Sequence, residues 1–586
     1  MRPFSPAVSM LLFAILTPSL APAQEKTTDE FKEYVQGKLQ GLGETELNKI
    51  AEAVDKNGDG KISDDEFSKR MQAISQVMSG ARPSPSRNPS AEKKAETETT
   101  HEVVEIEPLV DSSDAPVLLI TGDELAEAWV PFAKWKTANG KLTKIITVGQ
   151  IREQFKADSI QEKIRLCVRQ HIDEHETQWV ILGGDCLPGG KGLVPGGHTT
   201  VHRQERAGIP TDIVYISPTN WDADGDGIYG EFEDDREAIT YPDGSVGLGR
   251  IPVRTAEDVA AFTEKVVAYE SNYPTDQFAK GMIYTCTDQP AYPKVRNSWD
   301  GYLSEVWNGK MGRFFSKETP WDEDGKPGSY PLSAENLVAL INRKDTGKMH
   351  IHGHGHLPAW VLERSTFTSK HIGQLKNDGA YPLITTVSCN TGEYDSASDP
   401  SIVEHMLRTP KAGSVAVVAP IRTGKAHFAK SSDFRLMVTE GKLDGTTMTM
   451  TRYWTQGLGN GKTTGQAIMT AKYEMAKDAA ASESYHLCVC ELNLLGDPTL
   501  DMRANAPKSP ELSLEAESAG DKTEVKVATD APGCTVCLWA DDVYEVATAD
   551  KTGSAKFVID SASGSELKVT ATGASLNSAS TSIKLP

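Results

Sequence analysis

The chain has 586 residues, a formal net charge of −21 and 38% hydrophobic residues. That length exceeds a single domain and predicts roughly three or four globular ones, and the acidity argues against nucleic acid or an anionic membrane surface as a partner. Eight cysteines in a chain this long do not make a disulfide scaffold.

Residues 1–23 have the layout of a secretory signal peptide: Arg2, an apolar run over 7–16, then Ala21-Pro-Ala23. Cleavage is expected after Ala23, with the protein exported to the periplasm or the medium. No later run of about 20 apolar residues follows, so no membrane span is expected. Residues 24–80 read as a small helical segment, with helices over 29–39 and 44–54, around Asp55-Lys-Asn-Gly-Asp-Gly-Lys-Ile-Ser-Asp-Asp-Glu66. This run fits the twelve-residue EF-hand loop at every position. Asp55, Asn57 and Asp59 offer side-chain oxygens, Lys61 its carbonyl, Ser63 a direct or water-mediated oxygen, and Glu66 a bidentate carboxylate for Ca²⁺. Residues 81–105 are a linker rich in Pro and Ser that cannot bury enough apolar surface to order itself. Its Arg82, Arg87, Lys93 and Lys94 make it a candidate processing site.

From Pro116 the pattern alternates strand and helix: strands over 117–121, 142–148 and 179–182, helices over 124–138 and 160–175. Alternation at this spacing predicts a mainly parallel sheet with helices on both faces, here a first subdomain over 106–275. Asp222-Ala-Asp-Gly-Asp-Gly-Ile-Tyr-Gly-Glu-Phe-Glu233 is a second Ca²⁺-type loop inside it. It has Asp222, Asp224 and Asp226 at positions 1, 3 and 5, Ile228 at 7 and Glu233 at 12. A helix over 256–271 closes this part. Residues 276–506 are expected to form a second sheet, with strands over 281–286, 414–419 and 492–495 and helices over 402–407 and 464–479. From 507 the texture changes to six short alternating strands, which reads as a small immunoglobulin-like β sandwich.

The chemistry concentrates between His350 and Gly392. His350-Ile-His-Gly-His-Gly-His356 and Leu383-Ile-Thr-Thr-Val-Ser-Cys389-Asn-Thr-Gly392 each follow a β-prone run with a glycine-bearing turn. Ligands of open α/β sheets sit at such carboxyl strand ends. A Cys and a His delivered there by different strands suit a thiolate nucleophile and its base, here Cys389 and His354. Gly353 and Gly355 leave room for substrate backbone, and Gly392 is a candidate for turning N–H groups towards an oxyanion. The competing reading is a metal site made by the four histidines, although zinc ligands usually come from more than one element. Cys488/Cys490 and Cys534/Cys537 read as a local disulfide or plain burial, since neither pair has zinc-ribbon company.

Gly353-His-Gly-His-Leu-Pro-Ala-Trp360 and Val387-Ser-Cys-Asn-Thr-Gly392 resemble the histidine and nucleophile motifs of gingipain-type cysteine peptidases, family C25 of the caspase-like clan. Trp179-Val-Ile-Leu-Gly-Gly-Asp185, Val246-Gly-Leu-Gly-Arg-Ile-Pro-Val253 and Leu492-Asn-Leu-Leu-Gly-Asp-Pro498 match in the same order, so the resemblance spans about Pro116 to Arg503. It implies a caspase/gingipain-like α/β/α fold in two subdomains, followed by an all-β domain. It also implies endopeptidase activity on proteins or peptides, and an acidic residue at a strand end orienting the histidine, for which Asp288 is the candidate. Asp300 and Trp360 are candidates for lining the pocket before the cleaved bond, where an acidic floor would select Arg or Lys. The Cys389 and Gly355 N–H groups are expected to form the oxyanion hole, and the protein is expected to act as a monomer. A transpeptidase of the same chemistry and an inactive Ca²⁺-dependent adhesion module are the alternatives; the presence of both His354 and Cys389 weighs against the second.

Overall fold

The computed structural model describes residues 26–27, 61–62, 114–187, 193–199, 208–226, 229–286, 310–315, 329–362, 365–396, 400–424, 450–451, 454–457, 461–540, 543–560, 564–574 and 576–586. The expected signal peptide, the expected linker, Asp288 and Asp300 lie outside the described residues. So does the run from Asp55 to Glu66 expected to be an EF-hand loop, except Lys61 and Ile62. The chain divides into two compact units, Met1–Thr99 and Thr100–Pro586. In the first, β1 (Lys26–Thr27) pairs antiparallel with β2 (Lys61–Ile62), positions seven and eight of the EF-hand loop.

The second unit is built on one eleven-stranded sheet. Its first half holds β3 (Val117–Thr121), β4 (Thr143–Thr147), β5 (Trp179–Gly183) and β8 (Gly247–Ile251), and β6 (His198–Thr199) and β7 (Ile209–Pro210) form a separate two-stranded ribbon. Its second half holds β9 (Gly281–Cys286), β10 (Lys310–Phe315), β11 (Ser329–Pro331), β12 (Lys348–His352), β16 (Leu383–Thr386), β17 (Ala416–Pro420) and β18 (Leu492–Gly496). The order is β11-β10-β9-β12-β16-β17-β18-β8-β5-β3-β4. The two halves expected as separate sheets therefore join. β18 runs antiparallel to β17 on one side and parallel to β8 on the other, so the last strand of the α/β region closes the gap.

Strands β3, β8, β12, β16, β17 and β18 are buried along their whole length. Parallel strands buried on both faces need a layer of helices on each side, and this is why β3 and β17 read as near-continuous apolar runs in the sequence. The helices come from Ala126–Ala138, Ile160–Glu174, Ala256–Ser271, Ala334–Ile341, Ile402–Arg408, Thr464–Glu474 and Glu483–Glu491. Their starts follow local chemistry. Ser401 accepts from the Glu404 N–H while the Glu404 carboxylate accepts from the Ser401 N–H, a capping box that fixes where Ile402–Arg408 begins.

The C-terminal region is a two-sheet antiparallel sandwich. β19 (Leu512–Ala519), β20 (Lys522–Thr529) and β23 (Ser554–Ile559) form one sheet. β22 (Val543–Thr548), β21 (Thr535–Ala540), β24 (Glu566–Thr572) and β25 (Ala579–Lys584) form the other. Val525, Val527 and Phe557 from the first sheet and Val536, Leu538 and Val569 from the second share one core. The sequence pattern shows six of these seven strands. The seventh, Val543–Thr548, is an edge strand with only Val543 fully buried, so it carries little alternation to read. The sandwich is bolted to the α/β unit by Arg503. Its guanidinium lies over the rings of Tyr269 and Tyr273, at 5.3 and 5.0 Å, and donates to the Leu576 carbonyl at 2.8 Å.

Candidate active site

β12 and β16 are adjacent and parallel, with Ile351 opposite Thr386 and the Val387 N–H on the Ile351 carbonyl at 3.0 Å. Both motifs therefore leave the sheet side by side at its carboxyl edge. After β12 the chain breaks at Gly353 and turns into a small antiparallel meander of β13 (His354–His356), β14 (Ala359–Val361) and β15 (Thr366–Thr368). After β16 it makes the tight turn that carries Cys389. The four histidines do not share one strand face. His350 and His352 are buried inside β12, whereas His354 and His356 are exposed on the meander. The His350 Nδ1 meets Thr385 Oγ1 at 2.7 Å, and burial pushes its pKa down to about 3. That division removes the four-histidine metal site and places His354 at the surface.

Gly355 joins the two motifs. A β-carbon there would lie 2.6 Å from Thr391 Cγ2, 2.7 Å from Ser388 Cβ and 2.9 Å from the Cys389 carbonyl oxygen. Its lack of a side chain serves contact between the histidine strand and the nucleophile turn, rather than approach of substrate from that face. Cys389 is half-buried, with Sγ 3.7 Å from the Gly424 carbonyl, whereas the other described free cysteines are buried. Cys488 and Cys490 sit two apart on helix Glu483–Glu491, so their side chains diverge and no local disulfide forms. Cys534 and Cys537 are likewise free and buried.

The nucleophile turn is tied down along its length. Thr391 Oγ1 donates to the Ser388 carbonyl at 2.7 Å, and Asn390 adopts a φ of 58°, the left-handed conformation that Asn tolerates. The Asn390 N–H donates to the Arg422 carbonyl at 2.8 Å and the Gly392 N–H to the Pro420 carbonyl at 2.9 Å. The Gly392 N–H is thus engaged with the last residue of β17, not aimed at an oxyanion. Helix Ile402–Arg408 links the two motifs from behind: its Ile402 N–H binds the Leu357 carbonyl and its Val403 N–H the Thr391 carbonyl.

Three arginines grip the residues that follow. Arg250, from the Gly-Leu-Gly-Arg run, lies 4.7 Å over the Tyr394 ring while its fork holds Asp212 at 2.8 and 2.7 Å. Arg422 holds Asp395 through two bonds, at 2.8 and 2.6 Å. Arg254 reaches the Ser396 carbonyl and pairs with Asp185. Trp360, a pocket candidate, is fully buried with its ring 5.4 Å from Phe367, so it backs the meander instead of facing substrate. Sequence reading missed Arg422 and Asp395, because an arginine and an aspartate 27 residues apart carry no motif.

In the acidic loop, one carboxylate oxygen from each of Asp222, Asp224 and Asp226 lies within 4.8 Å of the others. Asp222 Oδ1 accepts from the Gly225 N–H and Asp224 Oδ1 from the Asp226 N–H, turns that aim the three carboxylates at one point. Such a set of hard oxygen donors fits Ca²⁺. Glu233 is exposed, and Ile228 lies outside the described residues. Asp235, which the sequence pattern did not single out, braces the loop from beneath by accepting from the Ala223 and Glu231 N–H groups. No described helix is long and apolar enough to cross a membrane.

The model of peptidase family C25 matches residues 110–503. Gingipain R2 of Porphyromonas gingivalis is 21% identical over 483 residues, covering 80% of this chain and 57% of that protein, so the chain spans little more than half of the relative's length. Gingipain R1 from the same organism is 22% identical over 320 residues, 53% of this chain and 28% of that protein. Among solved structures, the Arg-specific cysteine proteinase gingipain R covers 82% of this chain and all of its own, with a TM-score of 0.60 at 18% identity. That likeness establishes a gingipain/caspase-like α/β fold.

Proposed function

Since this chain belongs to peptidase family C25, we propose that it is a cysteine endopeptidase in which Cys389 is the nucleophile and His354 its base and acid. The observation that carries this reading is the contact of Gly355 with Ser388, Cys389 and Thr391, which sets the two motifs of adjacent strand ends against each other. In the first step His354 takes the thiol proton and Cys389 Sγ bonds to the scissile carbonyl carbon. The oxyanion forms against the Cys389 and Gly355 N–H groups, one such donor being worth about 3–4 kcal/mol in the transition state. The C–N bond then breaks as His354 returns the proton to the leaving amine, giving a thioester and a free amine. Water, deprotonated by His354, hydrolyses the thioester and restores the thiol. Asp288 is the proposed partner that orients His354.

Substrates are proteins or peptides. We infer a preference for Arg or Lys before the cleaved bond, with Asp300 as the acidic floor; gingipain R, which shares the fold, is an Arg-specific cysteine proteinase. Ca²⁺ is the proposed structural cofactor. It would be held by Asp222, Asp224, Asp226, Ile228 and Glu233 in the α/β unit and by Asp55, Asn57, Asp59, Lys61, Ser63 and Glu66 in the EF-hand loop, supplying charge neutralisation and cross-linking of loop segments. Export through the signal peptide and action as a monomer complete the reading.

The test is hydrolysis of fluorogenic peptides carrying Arg, Lys or a neutral residue before the reporter, by wild type, Cys389→Ala and His354→Ala. Both variants are expected to lose activity completely while melting like wild type. Residual hydrolysis by Cys389→Ala above a trace would overturn the nucleophile assignment.

A further inference from the structure

We propose that Arg422 is the positioning residue of the nucleophile turn: by holding it at both ends, Arg422 fixes the Cys389–Asn390 peptide and with it the direction of the oxyanion-binding N–H groups. The inference rests on the reading of Cys389 as nucleophile.

The six residues from Asn390 to Asp395 form an arch over the end of β17. At its start, the Asn390 N–H donates to the main-chain carbonyl of Arg422 at 2.8 Å. At its end, the Asp395 carboxylate takes the Arg422 fork at 2.8 and 2.6 Å. One residue thus closes the arch into a ring, with its carbonyl at one end and its guanidinium at the other. The same guanidinium also donates to its neighbour's Ile421 carbonyl at 2.9 Å and to the Gly208 carbonyl at 3.2 Å. Arg422 and Asp395 keep only 8% and 13% of their side chains exposed, so water screens the pair little. A bidentate Arg–carboxylate pair is a directional clamp that a lysine cannot reproduce.

The clamp acts where geometry matters most. Asn390 stands at a φ of 58°, a conformation that needs holding by its surroundings. Its N–H belongs to the same peptide plane as the Cys389 carbonyl, which lies against Gly355. Anchoring that plane sets the Cys389 backbone relative to Gly355, the two residues whose N–H groups are the proposed oxyanion donors. Arg250 and Arg254 also touch this stretch, but at Tyr394 and Ser396, and each is anchored by a carboxylate outside it, Asp212 and Asp185. Of the three, Arg422 is the one that also reaches back to Asn390.

Two reactions of the same thiol separate this role from general support. Peptide hydrolysis passes through an oxyanion and needs the N–H groups. Alkylation by iodoacetamide displaces iodide at a saturated carbon, with Sγ forming the new bond, and needs only the thiolate. For Arg422→Gln we expect kcat per active site to fall at least roughly tenfold, and at most by the roughly hundred- to thousandfold that losing one oxyanion donor costs. KM should stay within about twofold. The rate of Cys389 alkylation, followed by peptide mapping, should stay within about threefold, with the buried cysteines unlabelled. Arg422→Lys should restore part of kcat, and Asp395→Asn should repeat the loss. A kcat for Arg422→Gln within twofold of wild type would overturn the proposal. So would a parallel fall in hydrolysis and alkylation, or labelling of the buried cysteines, since either would mean a displaced thiol or a loosened core. If instead Cys389→Ala hydrolyses peptides as well as wild type, the functional reading itself fails, whatever Arg422 does.

Discussion

Gly355 and Cys389 touch through their backbones: a β-carbon on Gly355 would stand 2.9 Å from the Cys389 carbonyl oxygen, with Ser388 Cβ and Thr391 Cγ2 closer still. Those neighbours belong to a turn held by several backbone bonds, so they have little freedom to give way. Gly355→Ala should therefore separate the histidine strand from the nucleophile turn. We expect a loss of at least ~100-fold in kcat/KM and about 1–3 kcal/mol of stability from overpacking. Steady-state kinetics together with a melting curve checks both. Activity within tenfold of wild type would mean the contact is not needed for catalysis.

The Gly496-Asp-Pro498 run is explained by a buried ion cluster. Asp497 and Lys136 are each fully buried and pair at 2.7 Å, and Lys136 also holds Glu270 at 2.8 Å. Asp497 further accepts from the Thr499 N–H at 2.8 Å. Removing Lys136 strands two carboxylates, a loss of about 3–5 kcal/mol or more, whereas removing Asp497 leaves Lys136 paired with Glu270. Lys136→Met should thus lower the melting temperature more than Asp497→Ala does. The reverse order would show that stranded charge does not set the loss.

Ca²⁺ should raise the melting temperature in proportion to the logarithm of its concentration above the dissociation constant, as for any ligand bound by the folded state alone. Asp224→Ala should remove the part of that rise due to the loop in the α/β unit, where three carboxylates converge. Asp55→Ala should remove a separate binding event in the EF-hand loop. Titration calorimetry counts the events; a wild type that binds no Ca²⁺ refutes both assignments.

Acid should destabilise the protein before its carboxylates titrate fully. Burial lowers the pKa of His350 to about 3 and those of His171 and His486 to about 4, against 6.5 in an unfolded chain. Between those values and 6.5 the unfolded state binds more protons, so stability falls as pH drops through that window and is fully present above it. At about 1.4 kcal/mol per unit, His350 alone accounts for a few kcal/mol. His350→Gln, which keeps a polar group for Thr385, should flatten the decline in melting temperature between pH 6.5 and 4. An equally steep decline in that variant would remove His350 from the account.

Much of this protein is legible in the sequence because the signals are local. Continuous apolar runs such as Val117-Leu-Leu-Ile120 mark strands buried on both faces, helix starts carry their own caps, and the spacing of Asp222, Asp224 and Asp226 dictates a converging set of oxygens. The strand ends that carry His354 and Cys389 are legible because a β-prone run followed by a glycine-bearing turn signals one. What the sequence could not decide is everything set by distance across the chain. The single sheet depends on β18 fitting between β17 and β8, a register that no window around Leu492–Gly496 contains. Trp360 reads as a pocket residue until the meander turns it onto Phe367. Gly355 reads as room for substrate until Thr391 fills that space. Arg422 has no motif at all, since its meaning comes from the arch that folds back over it to deliver Asp395 and Asn390. Periodicity and turn chemistry act over a few residues, whereas packing and ion pairing act between whichever residues the fold brings together.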